Sequence, residues 1–138
     1  MIIDATNLIL GRMATSVAKK SLLGEKIDIV NCEKALITGR KEVILGKYKT
    51  QKDRGGPMAG PFLPTQPDRF VRRVVRGMLS YKNPRGKVAF KRIMCYKGLP
   101  PEFEGKPLDT IANAKFEKKT NNYLTIGQLT NLLRQKNE

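Results

Sequence analysis

The chain has 138 residues, and 27 lysines and arginines against 12 acidic residues give it a formal net charge of +15 at pH 7. This length, with 40% hydrophobic residues, suits one packed core, so we expect residues 1–138 to form a single domain. Because there is no histidine and there are only two cysteines, a His-dependent triad, a His-ligated metal and a four-cysteine zinc site are excluded. We therefore expect no catalytic residue, no metal and no cofactor.

The two cysteines, Cys32 and Cys95, are typical of buried thiols in a reducing cytosol. No stretch approaches the roughly 20 consecutive apolar residues of a membrane span. These features predict a cytoplasmic protein without a membrane partner.

Almost all of the excess charge lies in the middle of the chain. Residues 40–97 hold sixteen basic and three acidic residues, a net charge of +13, whereas residues 1–39 and 98–138 each carry +1. The basic segment is interleaved with apolar residues and contains no repeat or low-complexity run. Such a distribution is typical of a surface that contacts a nucleic acid.

The first thirty residues predict a strand–helix–strand unit. Residues 1–4 and 27–30 are short apolar runs. Between them a turn leads to Gly11 and Arg12, and a helix over 13–23 follows that Gly24 ends. Two strands joined by a helix over this length are parallel. The pattern indicates an α/β fold.

The basic segment predicts three helical stretches and one long loop. A helix over 40–49 should turn Val43, Ile44 and Tyr48 inward. Residues 52–67 hold three glycines and four prolines, which exclude a regular helix or a central strand. We expect this loop to become ordered only on RNA. A helix over 67–80 follows, then a helical turn over 87–92.

The C-terminal third predicts a strand over 93–96 and one further helix. The sequence from Thr125 to Gln128 matches a capping box, and three leucines at helical spacing follow it.

The helix after Pro67 has two chemically distinct faces. At about 100° per residue its four arginines cover an arc of about 100°, and its apolar residues take the opposite half. Like charges at i,i+3 and i,i+4 repel one another, and no acidic residue relieves them within this stripe. Since guanidinium groups bind phosphate bidentately, the stripe predicts a polyanion contact rather than a solvated face. We expect replacement of Arg72 and Arg73 by glutamate to leave the fold nearly intact. It should block incorporation of the chain into the RNA-containing particle that the stripe contacts.

Seventeen cations are candidates for RNA contact, and the arginine stripe is central among them. They are Arg12, Arg40, Lys41, Lys47, Lys49, Lys52, Arg54, Arg69, Arg72, Arg73, Arg76, Lys82, Arg85, Lys87, Lys91, Arg92 and Lys97. If about eight phosphates are neutralised, the log–log dependence of affinity on salt should have a slope of about −6 to −7.

Other readings of the chain remain open. Gly11 and Arg12 follow a strand, as phosphate loops do, but they lack the GxGxxG and GxxxxGK[ST] patterns. Asp4 and Asp28 lie near strand ends and could serve carboxylate chemistry in an α/β RNA-processing enzyme. A regulatory RNA-binding protein is a second alternative.

An ordered set of short motifs resembles the universal large-subunit ribosomal protein family thirteen. The set comprises Ile3–Asp4–Ala5, Leu10–Gly11–Arg12, Val30–Asn31–Cys32–Glu33, Thr38–Gly39, and Arg76–Gly77–Met78–Leu79. The stretch Tyr96–Lys97–Gly98–Leu99–Pro100 and the Gly/Pro-rich loop resemble the archaeal and eukaryotic branch of this family. Within that branch, the chain resembles the archaeal members more than the eukaryotic ones. Ser80 departs from the proline that is common in the family.

The resemblance implies a three-layer α/β/α domain around a small parallel sheet, with a long Gly/Pro-rich loop. It further implies a structural ribosomal protein that binds large-subunit ribosomal RNA, lies beside other large-subunit proteins, supports assembly and takes no small-molecule substrate. By position, Gly11 and Arg12 match the first turn of the family, and residues 76–79 match its second signature.

Overall fold

A computed structural model describes residues 1–117, 119 and 121–135. The strands are β1 Ile2–Asp4, β2 Ile27–Val30, β3 Leu36–Thr38, β4 Ile93–Cys95 and β5 Tyr123–Thr125. The helices are α1 Leu10–Leu22, α2 Lys41–Asp53, α3 Pro67–Gly77, α4 Pro84–Lys91 and α5 Ile126–Arg134. Within this part of the chain, no helix combines the length and the apolarity needed to cross a membrane.

A three-stranded parallel sheet in the order β1–β2–β4 forms the centre of the fold. Ile3, Ile29 and Cys95 are aligned across the three strands, and all three side chains are buried. They belong to the same hydrophobic core as the inner faces of α1 and α3. The predicted α/β class, with helices around a small parallel sheet, is confirmed.

Helix α1 joins β1 to β2 as the strand–helix–strand pattern predicts. Met13, Ala14 and Val17 are fully buried, and the helix packs against α3 and α4. The helix begins at Leu10, so Gly11 and Arg12 lie in its first turn and not in a preceding turn. The predicted turn before Gly11 is present at residues 6–7, and the helix begins three residues before its predicted start at Met13.

A second, two-stranded sheet was not predicted. Strands β3 and β5 pair antiparallel, with Ile37 opposite Leu124. At the end of β5 the predicted capping box is present: Thr125 Oγ1 accepts from Gln128 N at 3.2 Å, and Thr125 N donates to Gln128 Oε1 at 3.3 Å. Helix α5 starts there and packs against α2 and α3.

Most of the basic segment lies in the connection between β2 and β4. Helix α2 continues to Asp53, four residues beyond its predicted end, and α4 is a full helix rather than a turn. Val43 was predicted to face inward but is 67% exposed. The core-facing side of α2 is instead formed by Ile44, with Leu45 and Tyr48 packed beside it.

Candidate nucleic-acid interface

Helix α3 has the two faces that its sequence predicts. Pro67 occupies its first turn, where a missing N–H costs nothing, and Phe70, Val71 and Val75 are buried in the core. Its four arginines lie on the other side. Arg69 is exposed. The other three are half-buried because the preceding loop and α4 lie beside them.

The arginines of α3 form the floor of an open groove of about 360 Å³. The loop before the helix forms one wall, and α4 contributes the other. We call this feature the arginine groove, and its lining consists of Phe62, Pro64, Arg69, Arg72, Arg73, Arg76 and Phe90. Among the residues that the structure describes, no carboxylate lines it, and its charged side chains are all cationic.

Two of these guanidinium groups are held in position by aromatic rings. The Arg72 guanidinium carbon lies 4.1 Å from the centre of the Phe90 ring, and its Nε donates to the carbonyl of Ile93 at 3.2 Å. The Arg76 guanidinium lies 4.9 Å from the centre of the Tyr81 ring. A guanidinium stacked in this way keeps free N–H donors at its rim, which can bind phosphate without a further loss of side-chain freedom.

Arg73 connects the groove to helix α2. Its Nη1 donates to the carbonyl of Phe62 at 2.7 Å. The same side chain borders a cleft that it shares with Arg54 and a second depression that it shares with Lys47. The structure therefore brings Lys47 and Arg54, both from the predicted set, next to the arginine stripe.

Two other predicted cations are engaged by the protein itself. Lys52 Nζ donates to the carbonyl of Leu133 and so ties α2 to the end of α5. Arg92 Nη1 donates to the carbonyl of Ser21 at 3.1 Å, in the last turn of α1. A cation at the C-terminal end of a helix is stabilised by the exposed carbonyls there.

The remaining predicted cations are exposed and lie outside the arginine groove. Arg12 lies in the first turn of α1, and Lys97 follows β4. Around α2 the exposed cations are Arg40, Lys41 and Lys49, and around α4 they are Lys82, Arg85, Lys87 and Lys91.

The positive charge of the basic segment is not neutralised by the protein. Among the described residues, the one ion pair within 4.0 Å joins Lys119 to Glu117 at 2.9 Å, far from α3 in the sequence. None of the α3 arginines has a carboxylate partner within that part of the chain. Guanidinium groups without a carboxylate partner keep N–H donors that can bind phosphate oxygens.

Sequence reasoning missed the aromatic walls of the groove. Phe62 is 69% exposed although phenylalanine is normally buried, and Phe90 carries the stacked Arg72. A signal was available for Phe62, since it stands between Pro61 and Pro64 in a segment that cannot contribute to a regular core. Phe90 is half-buried and packs partly against the core, so its sequence position gave no signal of a role in the groove.

The strand-end carboxylate Asp4 has a structural role. Its Oδ1 accepts hydrogen bonds from Thr6 Oγ1 at 2.7 Å, from Thr6 N at 3.0 Å and from Asn31 Nδ2 at 3.0 Å. Burial by itself raises the pKa of Asp4, but these hydrogen bonds and the nearby Lys34 outweigh it and lower the pKa below 3.8. The carboxylate thus accepts hydrogen bonds that link the end of β1 to the residue that follows β2.

Both cysteines are buried and reduced, as predicted. The adjacent Cys95 thiol and burial together raise the pKa of Cys32, which keeps its sulfur protonated.

The comparisons with known proteins agree with this architecture. The family model described as ribosomal protein L13 matches residues 1–102. The chain belongs to the ribosomal protein L13 family. The family assignment that the short motifs suggested is confirmed.

Relatives named large ribosomal subunit protein uL13 align over nearly the whole chain. The protein from Archaeoglobus fulgidus is 42% identical over 134 residues, which cover 96% of this chain and 86% of the relative. Those from Methanococcoides burtonii and Methanococcus maripaludis are 40% and 44% identical over 136 and 137 residues. In these two pairs the alignment covers 98% and 96% of both partners, respectively.

Proposed function

We propose that this chain is a structural, non-catalytic constituent of the large ribosomal subunit in the cytoplasm. It binds large-subunit ribosomal RNA through segment 40–97, lies among other large-subunit proteins and supports assembly of the subunit. Residues 1–138 act as one RNA-binding domain. The observation that carries the proposal is the arginine groove, whose four guanidinium groups have no carboxylate partner among the described residues.

The free energy of binding comes mainly from counterion release. Each phosphate that meets an arginine or lysine releases condensed cations from the RNA, so affinity falls as salt rises. The groove supplies four clustered guanidinium groups, three of which are held by protein contacts. The exposed cations of α2 and α4 extend the positive surface around it. Lys52 and Arg92 contribute first to the fold, because protein carbonyls already bind their charged ends.

A salt titration tests this assignment. Binding of the full chain to a large-subunit ribosomal RNA fragment should give a log–log slope near −6 to −7, and Arg69→Gln should make it shallower by about 0.7 to 0.9. Lys19→Gln is the matched control, since it removes the same charge from an exposed site on α1 outside the basic segment. A wild-type slope shallower than about −2, or equal effects of the two variants, contradicts the proposal.

Sedimentation separates a ribosomal constituent from an RNA-binding regulator. The wild-type chain should travel with large subunits in moderate salt, and the Arg69→Gln, Arg76→Gln double variant should shift toward the free fraction. A wild-type chain that stays mostly free would favour the regulator.

A further inference from the structure

One wall of the arginine groove is an exposed phenyl ring on a fixed backbone. The carbonyl of Phe62 accepts a hydrogen bond from Arg73, and three residues further along the carbonyl of Thr65 accepts one from Arg134 Nη2 at 3.3 Å. These contacts dock residues 62–65 against α3 and α5. These protein contacts revise the expectation that the whole loop becomes ordered only on RNA. They leave Phe62 69% exposed beside the guanidinium groups.

The cations opposite this ring are held in place as well. Arg72 is fixed between Phe90 and the Ile93 carbonyl, and Arg76 rests on Tyr81. Phe62 and these arginines line the same open groove. A volume of about 360 Å³ lies within the range of small-ligand pockets.

We infer that the arginine groove holds a single unstacked nucleotide of RNA, with its base against the Phe62 ring and its flanking phosphates on the arginines. The inference rests on the proposed function and specifies which form of RNA the groove takes. An aromatic face and a guanidinium cluster within one concavity match the two chemically different halves of a nucleotide.

A continuous double helix does not fit this combination. Its phosphates could reach the arginines, but its bases are stacked on one another and present only their edges, so Phe62 would face water or sugar. In a bulge or loop, one base is free to leave the stack and to cover an exposed ring. The exposed phenyl group is thus explained by an extruded base and not by backbone contact alone.

The chain contains no tryptophan, so Phe62→Trp creates a single fluorescent reporter at the groove. The probes are two RNA hairpins of the same stem sequence, each closed by the same non-nucleotide linker in place of loop nucleotides, one fully paired and one with a single-nucleotide bulge. We expect the bulged hairpin to quench the reporter strongly and the paired hairpin to leave it nearly unchanged, both at saturation as judged by anisotropy of labelled RNA. Met58→Trp is the control, because Met58 is 96% exposed on the same loop but lies outside the groove.

Affinities separate this inference from the proposed function. Phe62→Ala should weaken binding of the bulged hairpin roughly tenfold and leave the paired hairpin within about twofold, since one base–aromatic stack is lost. Arg69→Gln should weaken both. Suppose that Arg69→Gln weakens binding of both hairpins, while Phe62→Ala changes the affinity for neither hairpin or for both equally. The inference of an extruded nucleotide is then wrong, and the proposed RNA binding is still supported. If neither hairpin binds even in low salt, both proposals fail.

Discussion

At the scale of single residues, Asp4 shows how a polar side chain can secure the ends of two buried strands. Asp4→Asn keeps the shape but removes the charge that three donors share. We expect a loss of about 1–2 kcal/mol of unfolding free energy at neutral pH, measured by urea denaturation. Asp109→Asn at an exposed site is the control and should be nearly neutral.

The pH dependence of this effect has a definite sign. Because the pKa of Asp4 is lower in the folded state than its ordinary value of 3.8, the stabilisation is present above that value. It is lost as the pH falls through the folded pKa. The difference between wild type and Asp4→Asn should therefore shrink below about pH 4. A difference that stays constant down to pH 2 would exclude this carboxylate as its source.

Gly86 is required by close packing rather than by its backbone angles. It is buried in α4, and a methyl group there would clash with the carbonyl of Ser80 in the preceding turn. Gly86→Ala should cost about 1–3 kcal/mol. Gly46→Ala, in the interior of α2 with no atom near the added carbon, should instead stabilise the protein by about 0.5–1 kcal/mol. Thermal unfolding of the two variants should shift in opposite directions.

At the scale of secondary-structure elements, α3 is joined to its surroundings more firmly than its charged stripe suggests. The sequence predicts that Arg72→Glu with Arg73→Glu leaves the fold nearly intact. The structure revises this, since Arg72 holds the Ile93 carbonyl and the Phe90 ring, and Arg73 holds Phe62. We now expect the double variant to lose about 2–3 kcal/mol of unfolding free energy.

Arg69→Glu is the control for the double variant at Arg72 and Arg73. Arg69→Glu alters the same stripe without breaking a protein contact of this kind, because Arg69 is exposed. It should weaken RNA binding while the unfolding midpoint in denaturant stays nearly constant. Equal stabilities of Arg69→Glu and the double variant would mean that the Arg72 and Arg73 contacts contribute little to the fold.

Elements with a clear periodicity were predictable from the sequence, and elements set by distant partners were not. The spacing of Met13, Val17 and the arginines of α3 is local information, as is the capping box of α5. Strands β3 and β5 are three residues each, too short to show alternation, and they pair across more than eighty residues. Their pairing depends on tertiary contacts that no local pattern encodes.

The sequence predicted the arginines of the candidate site, but it did not predict the aromatic residues that form the walls of the groove. The position of the arginines on one face of α3 follows from helical geometry alone. The placement of Phe62 and Phe90 depends on how a loop and a later helix approach α3, which is a property of the folded chain. The same holds for Lys52 and Arg92, whose partners are backbone carbonyls on other helices.

At the scale of the whole molecule, the net charge of +15 opposes compaction of the free protein. Added salt screens this repulsion more in the folded state, where the charges are closer together. Raising NaCl from about 0.05 M to about 0.5 M should increase the stability of the RNA-free chain by about 1 kcal/mol, or roughly 4 °C in Tm. Lys19→Gln with Lys26→Gln should reduce the gain, and a Tm that falls with salt would contradict this account.

The order of the parallel sheet has a consequence for the timing of synthesis. Helices α2, α3 and α4 all lie between β2 and β4, and the Ile93 carbonyl of β4 holds Arg72 at the bottom of the groove. A nascent chain has no finished groove until Cys95 has left the exit tunnel and β4 has paired beside β2. Incomplete chains consequently lack the arginine groove, through which the proposed function has the chain join an assembling large subunit.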